Sequence, residues 1–201
     1  METNEKYSKV NRFLFLDEDG VLNARSQDDK KTYANLKGIV SAVPDVKIIL
    51  STTNRCMPVL FKGLLERLEN AGVKKNIAGY TPIDNVAKFI AIYKYLSNNI
   101  NYKEQNRIAV IDDDKIPCFE DYSVTPEPTV GLDKDSAVKA ALLLLNKDFS
   151  MSDPNMQEIR VLYQDYLYMT PTPQKREWAK ESEDVFAEWK GLPVKETLVG
   201  D

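Results

Sequence analysis

The chain has 201 residues, of which 43% are hydrophobic and 29% are charged, and it carries a formal net charge of −4. This composition is typical of a globular protein with one domain of ordinary size and an appendage, and its acidic balance gives no overall attraction for nucleic acid. The sequence contains no histidine, which excludes His-based catalytic triads and His-ligated metal sites. Any catalysis must therefore rest on carboxylates, Lys, Arg, Ser, Thr or Tyr.

The sequence also bears on the compartment. No apolar run approaches the roughly 20 residues that span a bilayer, and the start of the chain, Met1 to Lys6, is polar rather than a signal peptide. Cys56 and Cys118 do not have the spacing of a zinc site. Two scattered thiols favour a reducing compartment, although a disulfide between them stays open. We therefore expect a cytoplasmic protein without a membrane segment.

The most informative stretch runs from Phe13 to Asn23. Its first four residues are apolar and predict a short buried strand, which ends abruptly in acid at Asp17 and Asp19. Gly20 then permits a tight turn. In an open α/β sheet, ligands bind where the strands end, and residues two apart on an extended chain point the same way. The two carboxylates are therefore expected to converge on a cation such as Mg²⁺, with an ordinary Asp-Gly turn as the alternative.

The remaining patterns alternate between helix and strand. Residues 24–32 are polar and predict a surface loop, with a flap over the site as the alternative. Helices are predicted over residues 33–43, 58–71 and 83–96 and in a segment ending at 145, with Asp133 or Ser136 as the cap of the last. Further strands are predicted over residues 46–50, 74–78, 107–111 and 119–124. A turn over 79–82 and a loop over 98–106 separate these elements.

Alternating strands and helices predict crossover connections and an α/β fold with a central parallel sheet. The pattern weakens after residue 147, which predicts a first domain over residues 1–149. Residues 150–201 then form a C-terminal helical extension, with helices over 155–169 and 174–190. This extension is expected to pack on the core or to contact a partner, either a second copy in a homodimer or another protein.

Other polar residues follow the predicted strands. Ser51 and Thr52 come after the second strand, and hydroxyls in that position can donate to phosphate oxygens or cap a helix. Asp112 and Asp113 begin a run of three acids after a later strand, and buried carboxylates side by side are costly without a counter-ion. A capping cluster accounts for one such acid but less well for three. Lys88 lies near the start of a predicted helix.

These residues, taken in order, resemble the four signatures of the haloacid-dehalogenase (HAD) superfamily: an Asp pair, a Ser or Thr after a strand, a Lys and a second acidic pair. The resemblance covers roughly residues 11–147. It is closer still to the HAD domains of nucleic-acid repair proteins, through residues 16–23, Ser51 to Arg55 and Gly79 to Pro82. The resemblance implies a HAD-like Rossmannoid three-layer sandwich with a central parallel sheet.

The resemblance also implies a chemistry. Asp17 would attack phosphorus to form an aspartyl-phosphate, and Asp19 would act as acid and then as base. Ser51 or Thr52 would bind the phosphoryl group together with a lysine, for which Lys88 has the best position and Lys94 is the alternative. Mg²⁺ would be bound by Asp17, by the backbone carbonyl of Asp19 and by Asp112 or Asp113, of which we favour Asp113. Glu18 is a departure, because it is expected to add charge to a crowded site.

The resemblance therefore predicts a Mg²⁺-dependent phosphatase that hydrolyses a phosphomonoester. No segment is long enough for an inserted cap domain, and an open site suits a macromolecular end or needs a lid, which the C-terminal segment could supply. The resemblance to repair proteins implies a nucleic-acid end or a nucleotide as the substrate. Two other functions stay open. One is a non-catalytic module whose C-terminal helices recruit a protein, and the other is a phosphotransferase with an acceptor other than water.

Overall fold

The computed structural model describes residues 9–24, 29–83, 87–166 and 172–193. Its strands are β1 (Val10–Leu16), β2 (Lys47–Leu50), β3 (Ile77–Tyr80), β4 (Gln105–Ile111), β5 (Ser123–Val124) and β6 (Asp148–Phe149). Its helices are α1 (Asp29–Ala42), α2 (Pro58–Asn70), α3 (Lys88–Asn99), α4 (Lys134–Asn146), α5 (Pro154–Tyr166) and α6 (Pro173–Lys190).

The strands form a single sheet in the order β3-β2-β1-β4-β5. All pairs along this path are parallel, as the crossover connections predict, and Leu16 of β1 lies opposite both Leu50 of β2 and Ile111 of β4. Two short strands share the far edge of β4: β5 pairs in parallel with its end, and β6 pairs antiparallel with its beginning. β1 is therefore a central strand, and its carboxyl end lies in the middle of the sheet edge.

The sheet is covered on both faces, which explains why β1 reads as a continuous apolar run. Leu14 and Leu16 pack into one core with side chains of α1, α2 and α4. Phe13 and Phe15 pack into a second core with side chains of α3 and α5. This arrangement of helix, sheet and helix layers confirms the predicted three-layer α/β fold.

Several predicted boundaries are wrong. The third strand is Ile77–Tyr80 rather than 74–78, because residues 74–76 form a 3₁₀ helix, and the predicted turn at 79–82 begins inside that strand. α1 begins at Asp29, inside the predicted loop, and its buried face includes Thr32, whose Oγ1 donates to the Leu22 carbonyl at 2.6 Å. β4 begins at Gln105, inside the predicted loop 98–106, and β6 was not predicted.

α4 agrees better with its prediction. Asp133 is its cap, and its side chain accepts the Ser136 N–H at 2.7 Å. α5 begins one residue before the predicted start, and residues 167–169 of that prediction lie outside the described residues. The two cysteines are free thiols, so the disulfide alternative is wrong. Among the described residues, no helix has the length and apolar character needed to cross a membrane.

α6 packs against the rest of the described chain. The Phe186 ring stacks on Phe61 of α2 with centroids 6.3 Å apart, and it meets Tyr80 of β3 edge-on at 5.2 Å. Trp189 Nε1 donates to the Glu69 carboxylate at 2.9 Å. The described part of the C-terminal extension therefore has an apolar contact with the first core. A contact with a protein partner or with a second copy stays a prediction.

Replacing Phe186 with Ala tests this contact. Removing a packed aromatic ring leaves a cavity, so we expect the free energy of unfolding to fall by about 2 kcal/mol. Tyr102→Ala is the matched control, because that ring is 70% exposed, and it should change the value by less than about 0.5 kcal/mol. Urea unfolding of the full chain measures both variants. Equal free energies of unfolding for the two variants would contradict the packing of α6 against α2 and β3.

Candidate active site

The carboxyl ends of β1, β2 and β4 lie side by side, because backbone hydrogen bonds continue one residue past each strand. The Asp17 N–H donates to the Ile111 carbonyl at 3.0 Å, and the Ser51 N–H donates to the Leu16 carbonyl at 2.9 Å. The Asp112 N–H donates to the Val124 carbonyl at 3.2 Å. The residues that follow three strands are thus brought to one place, as the sequence predicts.

Three carboxylates converge at this edge. Asp17, Asp112 and Asp113 each place an oxygen within 4.8 Å of the others. Asp17 and Asp112 are buried, whereas Asp113 is half-buried and packs against Gly20. A Cβ on Gly20 would lie 2.2 Å from Asp113 Oδ2, so there is no room for a side chain at this position. Gly20 also has a φ of +70°, a backbone conformation that favours glycine. The three carboxylates form a group that could hold a metal ion.

Lys88, the first residue of α3, is the cation of the group. Its Nζ donates to Asp17 Oδ2 at 2.8 Å and to Asp112 Oδ2 at 2.6 Å. Burial acts to lower the pKa of Lys88, but the two carboxylates outweigh it and the pKa is raised. Of the two lysines that the sequence left open, Lys88 is therefore the one that the structure places against Asp17 and Asp112.

Asp112 and Asp113 hold their protons more tightly than free carboxyls do, because the pKa of each is raised. Burial, with the charge of Asp17 acting in the same direction, raises the pKa of Asp112 to about 6, although Lys88 opposes the shift. Burial and the charge of Asp17 also raise the pKa of Asp113. Both shifts have the sign expected when like charges are crowded away from water. The ammonium group of Lys88 therefore does not fully offset the crowding of these carboxyls.

Asp19 lies apart from this group. Its carboxylate is exposed and is not among the three that converge. The chain turns immediately after Glu18, whose carbonyl accepts the N–H groups of Val21, Leu22 and Asn23 at 2.8–3.2 Å. The backbone therefore does not stay extended through Asp19, and the expected convergence of the Asp17 and Asp19 side chains does not occur.

The two predicted phosphate-binding residues, Ser51 and Thr52, follow β2, the strand next to β1, and are fully buried. Ser51 Oγ has no hydrogen-bond partner among the described residues, and Thr52 Oγ1 accepts the Asn54 N–H at 3.2 Å. Arg55 fixes this segment by donating to the carbonyls of Ser51, Thr52, Thr81 and Pro82. The Ser51 hydroxyl is thus a polar group without a bond at the edge where a ligand would bind.

Glu18 does not add charge to the group, contrary to the sequence-based expectation. Its buried carboxylate forms an ion pair with Arg67 of α2 and accepts a hydrogen bond from Asn54 at 2.9 Å. Arg67 also donates to the Tyr33 hydroxyl at 3.1 Å. Neither Asn54 nor Arg67 was identified as a site residue. No local sequence pattern indicates that Arg67 pairs with Glu18, because the two residues are 49 positions apart.

The family model for the HAD domain in Swiss Army Knife RNA repair proteins matches residues 13–137. The chain belongs to this family. The match runs from β1 into α4, so it includes every candidate site residue named above and confirms the resemblance to HAD domains of repair proteins. α5 and α6 lie outside it. No curated protein and no solved structure matches the chain.

Replacing Lys88 with Met tests the charge balance of this HAD domain. The variant keeps the aliphatic stem but leaves Asp17 and Asp112 without their shared cation, so in EDTA we expect the free energy of unfolding to fall by roughly 2–3 kcal/mol. The loss should be larger at about pH 8 than at about pH 5, because a protonated Asp112 no longer repels Asp17.

Lys94→Met, on the same helix, is the control and should lower the free energy of unfolding by less than about 1 kcal/mol. Urea unfolding at both pH values provides the comparison. If Lys94→Met proved the more destabilising variant, the assignment of Lys88 as the cation of the group would be wrong.

Proposed function

We propose that this HAD domain is a Mg²⁺-dependent phosphatase that hydrolyses a phosphomonoester. The observation that carries the proposal is the group formed by Asp17, Asp112 and Asp113 around Lys88. Two acids are buried there beside one ammonium group, at the sheet edge where α/β proteins bind ligands. Perturbed carboxyls that crowd one lysine at such an edge are typical of catalytic rather than structural sites.

The residues of the site suit attack on phosphorus in two steps. In the first, an oxygen of Asp17 bonds to phosphorus and the alcohol leaves with a proton from Asp19. In the second, water attacks the aspartyl-phosphate, Asp19 takes a proton from it, and inorganic phosphate departs. Lys88 and a hydroxyl from Ser51 or Thr52 would hold the phosphoryl oxygens. The unbonded Ser51 Oγ supports Ser51 for this role.

The acidic group fits Mg²⁺, because its donors are all oxygens. Both oxygens of Asp112 are already used, since Oδ2 accepts from Lys88 and Oδ1 accepts the Asp114 N–H at 3.1 Å. Asp113 is therefore the better third ligand, beside Asp17 and the backbone carbonyl of Asp19. When bound, Mg²⁺ would offset the repulsion between the phosphate and the carboxylate that attacks it.

The first test is hydrolysis of p-nitrophenyl phosphate by the full chain, with Mg²⁺ and with EDTA. We expect activity that requires Mg²⁺ and that falls by about 10³-fold or more in Asp17→Asn, because the nucleophile is lost. Asp113→Asn should weaken Mg²⁺ binding and lower its effect on the melting temperature. Asp114→Asn, at the exposed neighbouring acid, is the control.

Mg²⁺ that neither supports activity nor raises the melting temperature of the wild-type protein would overturn the proposed function. A folded protein that binds Mg²⁺ but hydrolyses no ester would favour the non-catalytic module instead. Phosphate transfer to an added alcohol in place of water would favour the phosphotransferase.

Three observations support the end of an RNA strand as the substrate. The matching family is named for RNA repair proteins, and the described residues contain no domain inserted between the motifs that would enclose a small molecule. In addition, a groove of about 570 Å³ lies between α1 and α2, and its charged lining is Lys30, Lys37, Arg67 and one acid, Asp29. Arg67 also pairs with Glu18, the residue next to Asp17. The groove is therefore close to the site, and its two lysines offer positive charge to the phosphates of a strand.

Lys37→Glu tests whether the RNA strand lies in the groove between α1 and α2. Hydrolysis of a terminally phosphorylated RNA oligonucleotide should lose about tenfold in kcat/KM, and the loss should shrink at high salt, because the lysine acts by charge. Hydrolysis of p-nitrophenyl phosphate and of a mononucleotide should not change. Lys139→Glu on α4 makes the same charge change away from the groove and is the control. An equal loss in both variants, or on all three substrates, would contradict a strand in this groove.

A further inference from the structure

The Glu18 side chain is the buried anchor of a hydrogen-bond network with Arg67 and Asn54, beside the acidic group. It is 2% exposed, and both of its carboxylate oxygens are bonded. Arg67 Nη2 donates to one oxygen, and Asn54 Nδ2 donates to the other at 2.9 Å. A buried carboxylate is stable only with such partners. Glu18 therefore presents an acceptor whose position is set by the ion pair with α2.

Asn54 is held through its backbone as well as its side chain. It lies in the 3₁₀ helix Thr53–Cys56, where its N–H donates to Thr52 Oγ1 at 3.2 Å and its carbonyl accepts the Met57 N–H at 2.9 Å. The side-chain amide has two protons. One is donated to Glu18, and the other is donated to Asp19 Oδ2 at 3.2 Å. Because ionised carboxylates only accept hydrogen bonds, the amide nitrogen must face both acids.

Asp19 depends on this bond for its orientation. It is exposed, and among residues 9–24, 29–83 and 87–166 the side chain of Asn54 is the one donor to its carboxylate. An exposed Asp with no bond would sample several rotamers. The amide bridge instead links the Asp19 carboxylate to Glu18, which is buried and paired.

We propose that Asn54, anchored by the Glu18–Arg67 ion pair, is a positioning residue that orients Asp19 as the acid and base of the reaction. This inference rests on the function proposed above. When an Asp17 oxygen bonds to phosphorus and the bond to the leaving oxygen breaks, a proton passes from Asp19 to that oxygen. Because Asn54 donates to Oδ2, the proton is carried by Oδ1. In the second step water bonds to phosphorus, the Asp17–phosphorus bond breaks, and Oδ1 takes the proton of the water.

A positioning role has a signature that a merely structural role lacks. A nitrophenolate leaves readily without a proton, whereas the alkoxide of a sugar or a simple alcohol needs one. Losing the orientation of the acid should therefore slow the alkyl ester far more than the aryl ester. Loss of the fold, of the metal or of the nucleophile would slow both esters alike.

The experiment compares kcat/KM for p-nitrophenyl phosphate and for glycerol 2-phosphate in the full chain with Mg²⁺. We expect Asn54→Ala to lose about 10- to 100-fold on the alkyl ester and less than about threefold on the aryl ester. Asp19→Asn should show the same selectivity with a larger loss, and the double variant should lose no more than Asp19→Asn alone. Asn99→Ala, an exposed amide at the end of α3, is the control.

The bridge itself is measured without any turnover, by NMR of the two side-chain amide protons of Asn54. Glu18→Gln should shift one proton upfield and Asp19→Asn the other, because each removes a charge-assisted hydrogen bond. If neither proton moves, the bridge is absent in solution and the inference fails.

Equal losses on the two esters in Asn54→Ala, or no loss on either, would also overturn the inference and leave the proposed function in place. A wild-type protein that hydrolyses neither ester would overturn the proposed function and with it the catalytic meaning of the bridge. The NMR measurement would then still report whether the bridge exists.

Discussion

The site depends on one ammonium group between two buried carboxylates. β1 and β4 pair in parallel with Leu16 opposite Ile111, so the residues that follow them, Asp17 and Asp112, must lie side by side. The pairing of the strands thus imposes a repulsion that the sheet itself cannot relieve. Lys88 relieves it from the first position of α3, where the positive end of the helix dipole acts in the same direction. The start of α3 therefore supplies the positive charge that the two carboxylates need.

The acidic edge could be predicted from the sequence for a physical reason. The composition changes abruptly from apolar to acidic at Leu16 and again at Ile111, and crossover connections bring the carboxyl ends of parallel strands to one edge whatever their order. Asp17, Ser51 and Asp112 could therefore be placed together before the strand order was known. The position of Lys88 at a helix start favoured it over Lys94, but only its contacts with Asp17 and Asp112 distinguish the two lysines.

Features that depend on distant partners could not be predicted in this way. Residues 79–82 have the composition of a turn, but pairing with β2 keeps Gly79 and Tyr80 in β3 and outweighs that local preference. Glu18 could only be read as one more acid in a crowded motif, because its partner Arg67 lies on another helix. The convergence of Asp17 and Asp19 was expected from strand alternation. It fails because the Glu18 carbonyl closes a tight turn at that point.

The Asn54 bridge also has consequences for the C-terminal extension. α6 lies outside the residues matched by the family, yet it contacts the 3₁₀ helix that carries Asn54. Besides the packing of Phe186, Lys190 Nζ donates to the carbonyls of Lys74 and Ile77, at 3.3 and 2.8 Å. α6 is therefore attached to α2, to the start of β3 and to the turn between β2 and α2. Because the geometry of a hydrogen bond to Asp19 changes with small movements of that turn, the contact of α6 with the 3₁₀ helix and with α2 restricts the orientation of the acid. The packing of α6 against the 3₁₀ helix thus helps to hold Asn54, and through Asn54 the carboxylate of Asp19, in place.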